Sequence, residues 1–342
     1  MGFLLAWTQD DILAARSGYQ LLADYLPDSE CLILPRRDPT RFLPLLKTRF
    51  LRRFSFTRWC VGASFDLEHI VHSRIKAGFS GIIHFPWCDR DLAFLDTSPP
   101  SPHLPIIGTF HQPPDQLDAI IRRPRNLSRF AAIILMSETQ RPWFLHHGVD
   151  PSRLHVILHG VDTAYYTPTS LEPPSVFKVL SVGGTMRDFP QMRQVALSLQ
   201  DSQEIRFHFI GPPDKASYFQ DLPNVSYQSQ IADAELLSLY QSASCFLHLP
   251  TQATANNAML EALSCGTPII SQSVGGVPEY LSPACARLSA RGDSSTVASM
   301  IRQLASSPSE QLSLRAAARS HAESLDWTII ARQTLALYHT LN

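Results

Sequence analysis

Short apolar runs alternate with longer amphipathic stretches along the whole chain, the pattern left by strands that are covered on both faces by helices. In the first half, the runs at residues 3–7, 31–34, 81–85, 106–111, 131–137 and 155–158 predict strands, with a helix from Ser17 to Leu26 after the first. A second series lies at residues 177–182, 205–210, 225–227, 245–249 and 268–271, followed by helices from about Asp293 to the end. Between the two series, residues 167–175 hold three prolines and no apolar periodicity, a linker composition. The fold class expected is therefore α/β, with two doubly wound, Rossmann-like domains at residues 1–166 and 176–322 and a terminal helix at 323–342. Such a pair places a ligand cleft between the carboxyl ends of both sheets.

At 342 residues the chain is long enough for two such cores, and 44% hydrophobic with 17% charged residues fits a globular protein. A net charge of −1 gives no reason to expect nucleic acid as a partner. The cysteines at 31, 60, 88, 245, 265 and 285 form no C-x-x-C pair, so neither a zinc site nor a disulfide framework is expected. With no long apolar run and no signal-peptide order at the N-terminus, the expected location is cytoplasmic. One segment changes this picture. Residues 36–58 carry eight basic residues against a single acid, Asp38. At helical spacing Leu43, Leu46, Phe50, Leu51 and Phe54 share one face, opposite Arg41, Arg49, Arg52 and Arg53. A helix of this kind either packs its apolar stripe on its own domain or lies on an anionic membrane surface, making the protein peripheral on the inner face of a membrane.

The densest chemistry lies at residues 254–280, TANNAMLEALSCGTPIISQSVGGVPEY. A helix that opens after small polar residues offers unpaired N–H groups and the positive end of its dipole, here at Asn256, Asn257 and Ala258, to a phosphate. A carboxylate one to two turns further in, Glu261, can accept hydrogen bonds from a ribose diol. After the strand at 177–182 comes Gly183-Gly184-Thr185-Met186-Arg187, in which glycines admit backbone N–H groups to an anion and Arg187 supplies a bidentate grip. Taken alone, a glycine pair after a strand is an ordinary tight turn, and His111 is an ordinary strand-end histidine. Asp89-Arg90-Asp91 has the spacing of a metal-binding Asp-x-Asp but reads better as a solvated loop, so no metal is expected.

The order GGTMRDF at 183–189, LHLPTQATANNAMLEALSCGTPIISQSVGGVPEY at 247–280 and LDWTIIARQTLALY at 325–338 resembles the retaining GT-B-fold glycosyltransferases of family four, the glycosyl transferases group 1. Residues 134–168, ILMSETQRPWFLHHGVDPSRLHVILHGVDTAYYTP, are similar to that family's segment before its linker, with His159 where the family has asparagine. The resemblance runs from about Ile82 to the end and is faint from Phe3 to Ala77.

What it implies is transfer of a sugar from a nucleotide-diphosphate sugar, the co-substrate, to an acceptor hydroxyl of a glycan, lipid or small molecule, without metal or other cofactor. Glu261 would hold the ribose, while Gly183, Gly184, Arg187 and the helix start at Asn256, Asn257 and Ala258 would face the diphosphate. His111 would meet the transferred sugar, and Ser17, Gly18 and Tyr19 would line the acceptor loop. The terminal helix would cross back to the first domain. Two departures stand out: Gly184 occupies the position of the family's usual arginine, and Ala253 that of an acid eight positions before the glutamate. They leave open a non-catalytic nucleotide-sugar-binding relative, and a nucleotide-sugar epimerase could use a similar cleft.

Overall fold

A computed structural model describes residues 2–9, 16–36, 50–94, 104–169 and 176–341. The chain divides into two units, Met1–His159 with Trp327–Asn342, and Gly160–Asp326. In the first, β1 (Gly2–Gln9), β2 (Ser29–Pro35), β3 (Gly81–Phe85), β4 (Ile106–Phe110), β5 (Ala132–Leu135) and β6 (Leu154–Val156) form one parallel sheet in the order β2-β1-β3-β4-β5-β6. In the second, β7 (Phe177–Val182), β8 (Ile205–Ile210), β9 (Val225–Gln228), β10 (Cys245–His248), β11 (Ile269–Gln272) and β12 (Ala286–Ser289) form another, ordered β12-β11-β10-β7-β8-β9.

Strand order fixes where a ligand can sit. In open parallel sheets the crevice lies beyond the carboxyl ends of the strands, where the order reverses. That point falls between β7 and β10 in the second unit and between β1 and β3 in the first. The loops after these strands hold Arg187, Asn256, Tyr19 and Asp89.

The central strands of each sheet are buried because they are largely apolar. In the second unit Val179, Phe207, Phe209, Leu247 and Ile270 pack against Met192 and Val195 of the helix Phe189–Ser198 and against Val297 and Ile301 of Ser294–Ala305. Both helices begin at an aspartate: Asp188 accepts from the Gln191 N–H at 3.0 Å and Asp293 from the Thr296 N–H at 2.9 Å. In the first unit Leu4, Ala6, Ile83, Phe110, Ile133 and Leu135 form the corresponding core. The terminal helix Trp327–Thr340 belongs to this unit, with Tyr338 bonded to His84 of β3 at 2.6 Å.

Several expectations are corrected. The strand Ala286–Ser289 was not foreseen, and the helix expected from Ser17 is a 3-10 turn over Tyr19–Tyr25. Residues 160–166 fall in the second unit, not the first, because they are tied to it. The Tyr166 carbonyl accepts from Ser264 Oγ at 2.7 Å, and Arg319 donates to the Thr163 carbonyl at 3.0 Å. Asp89 and Asp91 are not in a solvated loop; both are buried, and neighbouring groups take up the oxygens of Asp91. Asp91 accepts from Thr8 Oγ1 at 2.6 Å and pairs with Arg36 at 2.9 Å. Arg36, one of the eight basic residues counted over 36–58, is thus engaged by a buried carboxylate, and residues 37–49 of that segment lie outside the described residues. None of the described helices is long and apolar enough to cross a membrane.

Candidate functional site

The loops after β7 and β10 are stitched together by backbone. The Asp188 N–H donates to the Leu249 carbonyl and the Thr251 N–H to the Met186 carbonyl, each at 2.9 Å. Gly184 sits where side chains cannot: a Cβ there would lie 2.3 Å from Pro212 Cγ. Any side chain at this position would have to displace that proline ring.

Arg187 is held at the centre of this arrangement, 8% exposed. Its Nη2 donates to the Val182 carbonyl at 2.9 Å and to Asn256 Oδ1 at 3.1 Å, and Nη1 donates to the Thr185 carbonyl at 3.3 Å. Among the described residues no carboxylate is ion-paired with it, and its buried Nε has no hydrogen-bond partner. Burial lowers the guanidinium to about 10, still cationic at neutral pH. A buried cation without a counter-ion is costly, and the structure offsets that cost only with neutral acceptors.

Asn256 caps the helix Asn257–Ser264, its Oδ1 also accepting from the Met259 N–H at 3.0 Å. That helix tip therefore points its positive end at the same loop junction as Arg187. Two further buried atoms at the strand ends have no partner, Ser181 Oγ on β7 and His248 Nε2 on β10. Burial, helped by the charge on Arg187, holds His248 well below its ordinary value, hence neutral.

Further along the helix, Glu261 is buried and accepts from Tyr240 Oη at 2.9 Å. Burial first, then the Glu261 charge, push the Tyr240 phenol well up, so it stays a donor. Tyr240 was not foreseen as a site residue. It lies on the helix Asp233–Ser242, far from Glu261 in sequence, and only the apolar spacing around it hinted that it faces inward.

The remaining candidates lie in the first unit. His111 follows β4, with its ring stacked on Trp87 at 4.1 Å and edge-on to Tyr19 at 4.9 Å. Its Nε2 lies 2.7 Å from the Pro86 carbonyl, which can only accept, so Nε2 carries the proton. Burial lowers His111 to about 3 and leaves the ring neutral. Gly18 precedes the turn over Tyr19–Tyr25, and Tyr19 is fully buried, its ring also against His159 and Trp327. Ser17 is half-buried, its carbonyl accepting from the Gln20 side chain at 2.5 Å. Ala253 is buried, and its carbonyl accepts from the Gly276 N–H at 2.9 Å, tying the loop before Asn256 to the Gly275-Gly276 turn after β11.

Within the second unit the structure thus brings together Gly183, Gly184, Arg187, Asn256, Asn257 and Ala258, with Glu261 further along the same helix. Tyr19 and His111 meet within the first.

The chain is similar to known proteins in sequence and in fold. Residues 191–336 match the model of a family described as glycosyl transferase-like. The MMP alpha-(1->4)-mannosyltransferase of Mycolicibacterium hassiacum is 25% identical over 201 residues, 56% of this chain and 49% of that protein. The chain spans about half the length of the curated relatives it matches first. The crystal structure of sucrose-phosphate synthase from Thermosynechococcus elongatus aligns with a TM-score of 0.70 over 99% of this chain and 98% of that one, at 16% identity. Anabaena HepE in complex with UDP and glucose aligns with a TM-score of 0.67 over 99% and 100%, at 14% identity. The two Rossmann-like sheets and the likeness to these solved structures give the chain the GT-B fold, and residues 191–336 are similar to glycosyl transferases.

Proposed function

We propose that this protein transfers a hexose from a nucleotide-diphosphate sugar to an acceptor hydroxyl, with retention and without a metal. The observation that carries the reading is Arg187, a buried cation with no ion-paired carboxylate among the described residues, set beside a capped helix tip at the switch point of its sheet. A diphosphate is the ligand that would complete both. The named activities of the relatives, and the UDP in the HepE structure, support the same class of donor.

In the proposed reaction the bond from the anomeric carbon to the β-phosphate oxygen breaks, and the acceptor oxygen bonds to that carbon. Retention brings the acceptor in on the leaving-group side, so the departing phosphate oxygen is the nearest base for the hydroxyl proton. Charge then accumulates on the β-phosphate, where Arg187 and the tip at Asn256, Asn257 and Ala258 stabilise it; one preorganised donor is typically worth about 3 kcal/mol of barrier. Glu261, fixed by Tyr240, holds the ribose. His111 meets the transferred sugar as a neutral group, and Ser17, Gly18 and Tyr19 border the acceptor.

A second reading, a nucleotide-sugar-binding protein without turnover, draws on Ala253 and on the Pro212 contact at Gly184. A thermal-shift screen across nucleotide sugars, followed by turnover of the best donor, separates the two. Binding without any release of nucleoside diphosphate selects the second; no binding of any nucleotide sugar refutes both.

The acceptor side includes a membrane contact in this proposal. Phe50 and Phe54 are 60% and 43% exposed, their rings 5.3 Å apart, beside exposed Arg52 and Arg53. Residues remote in sequence join them: Arg123 lies over the Phe54 ring at 5.5 Å, and Arg122 donates to the Arg53 carbonyl at 3.3 Å. Aromatics among arginines suit an anionic lipid surface. Co-sedimentation with phosphatidylglycerol vesicles should be lost in an Arg52/Arg53/Arg122 triple alanine variant. Unchanged binding removes the contact.

A further inference from the structure

The Asp-x-Asp sequence has no part in the transfer proposed above, yet its first carboxylate is among the most buried in the chain. Asp89 is 1% exposed. Its Oδ2 accepts from the His111 N–H at 2.7 Å and the Gln112 N–H at 2.8 Å, and its Oδ1 has no hydrogen-bond partner. Those N–H groups belong to the first two residues after β4, whose backbone aims the His111 ring. The ring itself is then set by Pro86 and Trp87. The loop after β3 therefore grips the loop after β4 at three points, of which Asp89 alone can change charge.

We propose that Asp89 is a positioning residue for His111: its anion fixes the loop after β4, and its protonation releases that loop and gives sugar transfer an acid limb. The proposal rests on the reading of His111 as the residue that meets the sugar. Hydrogen bonds to an ionised acceptor are roughly twice as strong as neutral ones, so the anion holds both N–H groups where a carboxylic acid would loosen them.

The acid form also carries an O–H with no acceptor in place at Oδ1. Burial pushes Asp89 up to about 6, against the two N–H donors and the charge of Arg90, with Asp91 adding to the rise. The other charged and titratable neighbours are accounted for. Arg90 lies over the Trp87 ring at 4.8 Å, and Arg36 is paired with Asp91. Glu68, from the helix Gly62–Lys76, accepts from the Phe94 N–H at 2.9 Å. Burial raises the Cys88 thiol well above its ordinary value. His84 and His111 are both held at about 3 by burial, so neither titrates where Asp89 does.

Two measurements on the whole chain test this, one of them independent of turnover. Trp87 stacks on His111, and its indole N–H can be followed by 15N-tryptophan NMR, with Trp87→Phe assigning its signal among the five tryptophans. In the wild type that signal should titrate with a midpoint near 6, while in Asp89→Asn, which keeps an acceptor oxygen but not the proton, it should not. In parallel, kcat/KM for the wild type should fall about tenfold per pH unit below that midpoint and stay level in Asp89→Asn. Asp89→Ala, checked for folding by circular dichroism, should be slow at every pH. A titrating Trp87 in a protein that turns over no nucleotide sugar would leave the loop restraint standing and sink the transfer reading instead. An acid limb and a Trp87 titration unchanged in Asp89→Asn, or full activity of Asp89→Ala at pH 7.5, overturns the role of Asp89.

Discussion

Replacing Arg187 with methionine sets the cost of burying the cation against its use. Burial lowers this guanidinium from its ordinary value, more than two pH units higher, to about 10. At about 1.4 kcal/mol per pKa unit, that is a folding cost of about 3 kcal/mol, complete at any pH below 10 and relieved only as the folded group deprotonates above it. Methionine fills much of the same volume and removes the charge, but it leaves the Val182 and Thr185 carbonyls without their guanidinium donors, about 1 kcal/mol each. Asn256 keeps the Met259 N–H. The terms nearly cancel, so the free variant should unfold within about 2 kcal/mol of the wild type by denaturant titration. Diphosphate binding should fare differently. Loss of a desolvated, charge-assisted donor costs about 3 kcal/mol, on the order of a hundredfold in affinity for UDP, with much less change for uridine. Calorimetry with UDP, UMP and uridine reads the difference directly. If the variant binds UDP like the wild type but loses 5 kcal/mol or more of stability, Arg187 is a structural strut and the anion site is refuted.

Tyr240→Phe removes a hydrogen-bond donor to Glu261, and should raise KM for the nucleotide sugar about tenfold while kcat changes less than threefold; equal loss in both would place Glu261 elsewhere in the mechanism. Gly184→Ala should destabilise by about 2 kcal/mol because its methyl would meet Pro212 Cγ and Cδ, and Pro212→Ala in the same chain should restore most of the loss in a thermal melt. Asp89 also predicts a pH dependence of stability. Its folded value near 6 exceeds the ordinary 3.8, so the folded state keeps a proton that the unfolded chain has lost between those values. Stability should therefore fall by about 3 kcal/mol as pH rises through that window, and the difference between wild type and Asp89→Asn in urea titrations at pH 4 and pH 7 should isolate that slope.

What was legible in the sequence and what was not divides on a physical line. Strands buried on both faces announce themselves by apolar runs, which is why the central strands, such as β3, β5 and β10, are readable where they lie. Ala286–Ser289 escapes because only two of its four residues are apolar and arginine interrupts them. The residues of the proposed anion site could be picked out because they rest on local chemistry, a glycine pair after one strand and a polar helix start after another. Contacts between remote segments were not. The Tyr240 bond to Glu261, the Pro212 contact at Gly184 and the His84 bond to Tyr338 each depend on which strands end side by side.

Charge misled most at Asp89 and Asp91, since a D-R-D run reads as solvent-facing until the structure supplies the donors that make burial tolerable. Both errors have one source. Strand order decides which loops meet beyond the carboxyl ends, and an apolar run predicts that a strand exists without saying beside which strand it lies. Once β7 lies against β10, Arg187 must share Asn256 with a helix tip; once β3 lies against β4, Asp89 can reach the N–H of His111. In each unit, the polar groups read here as functional are those that strand adjacency, and not sequence proximity, brings to one place.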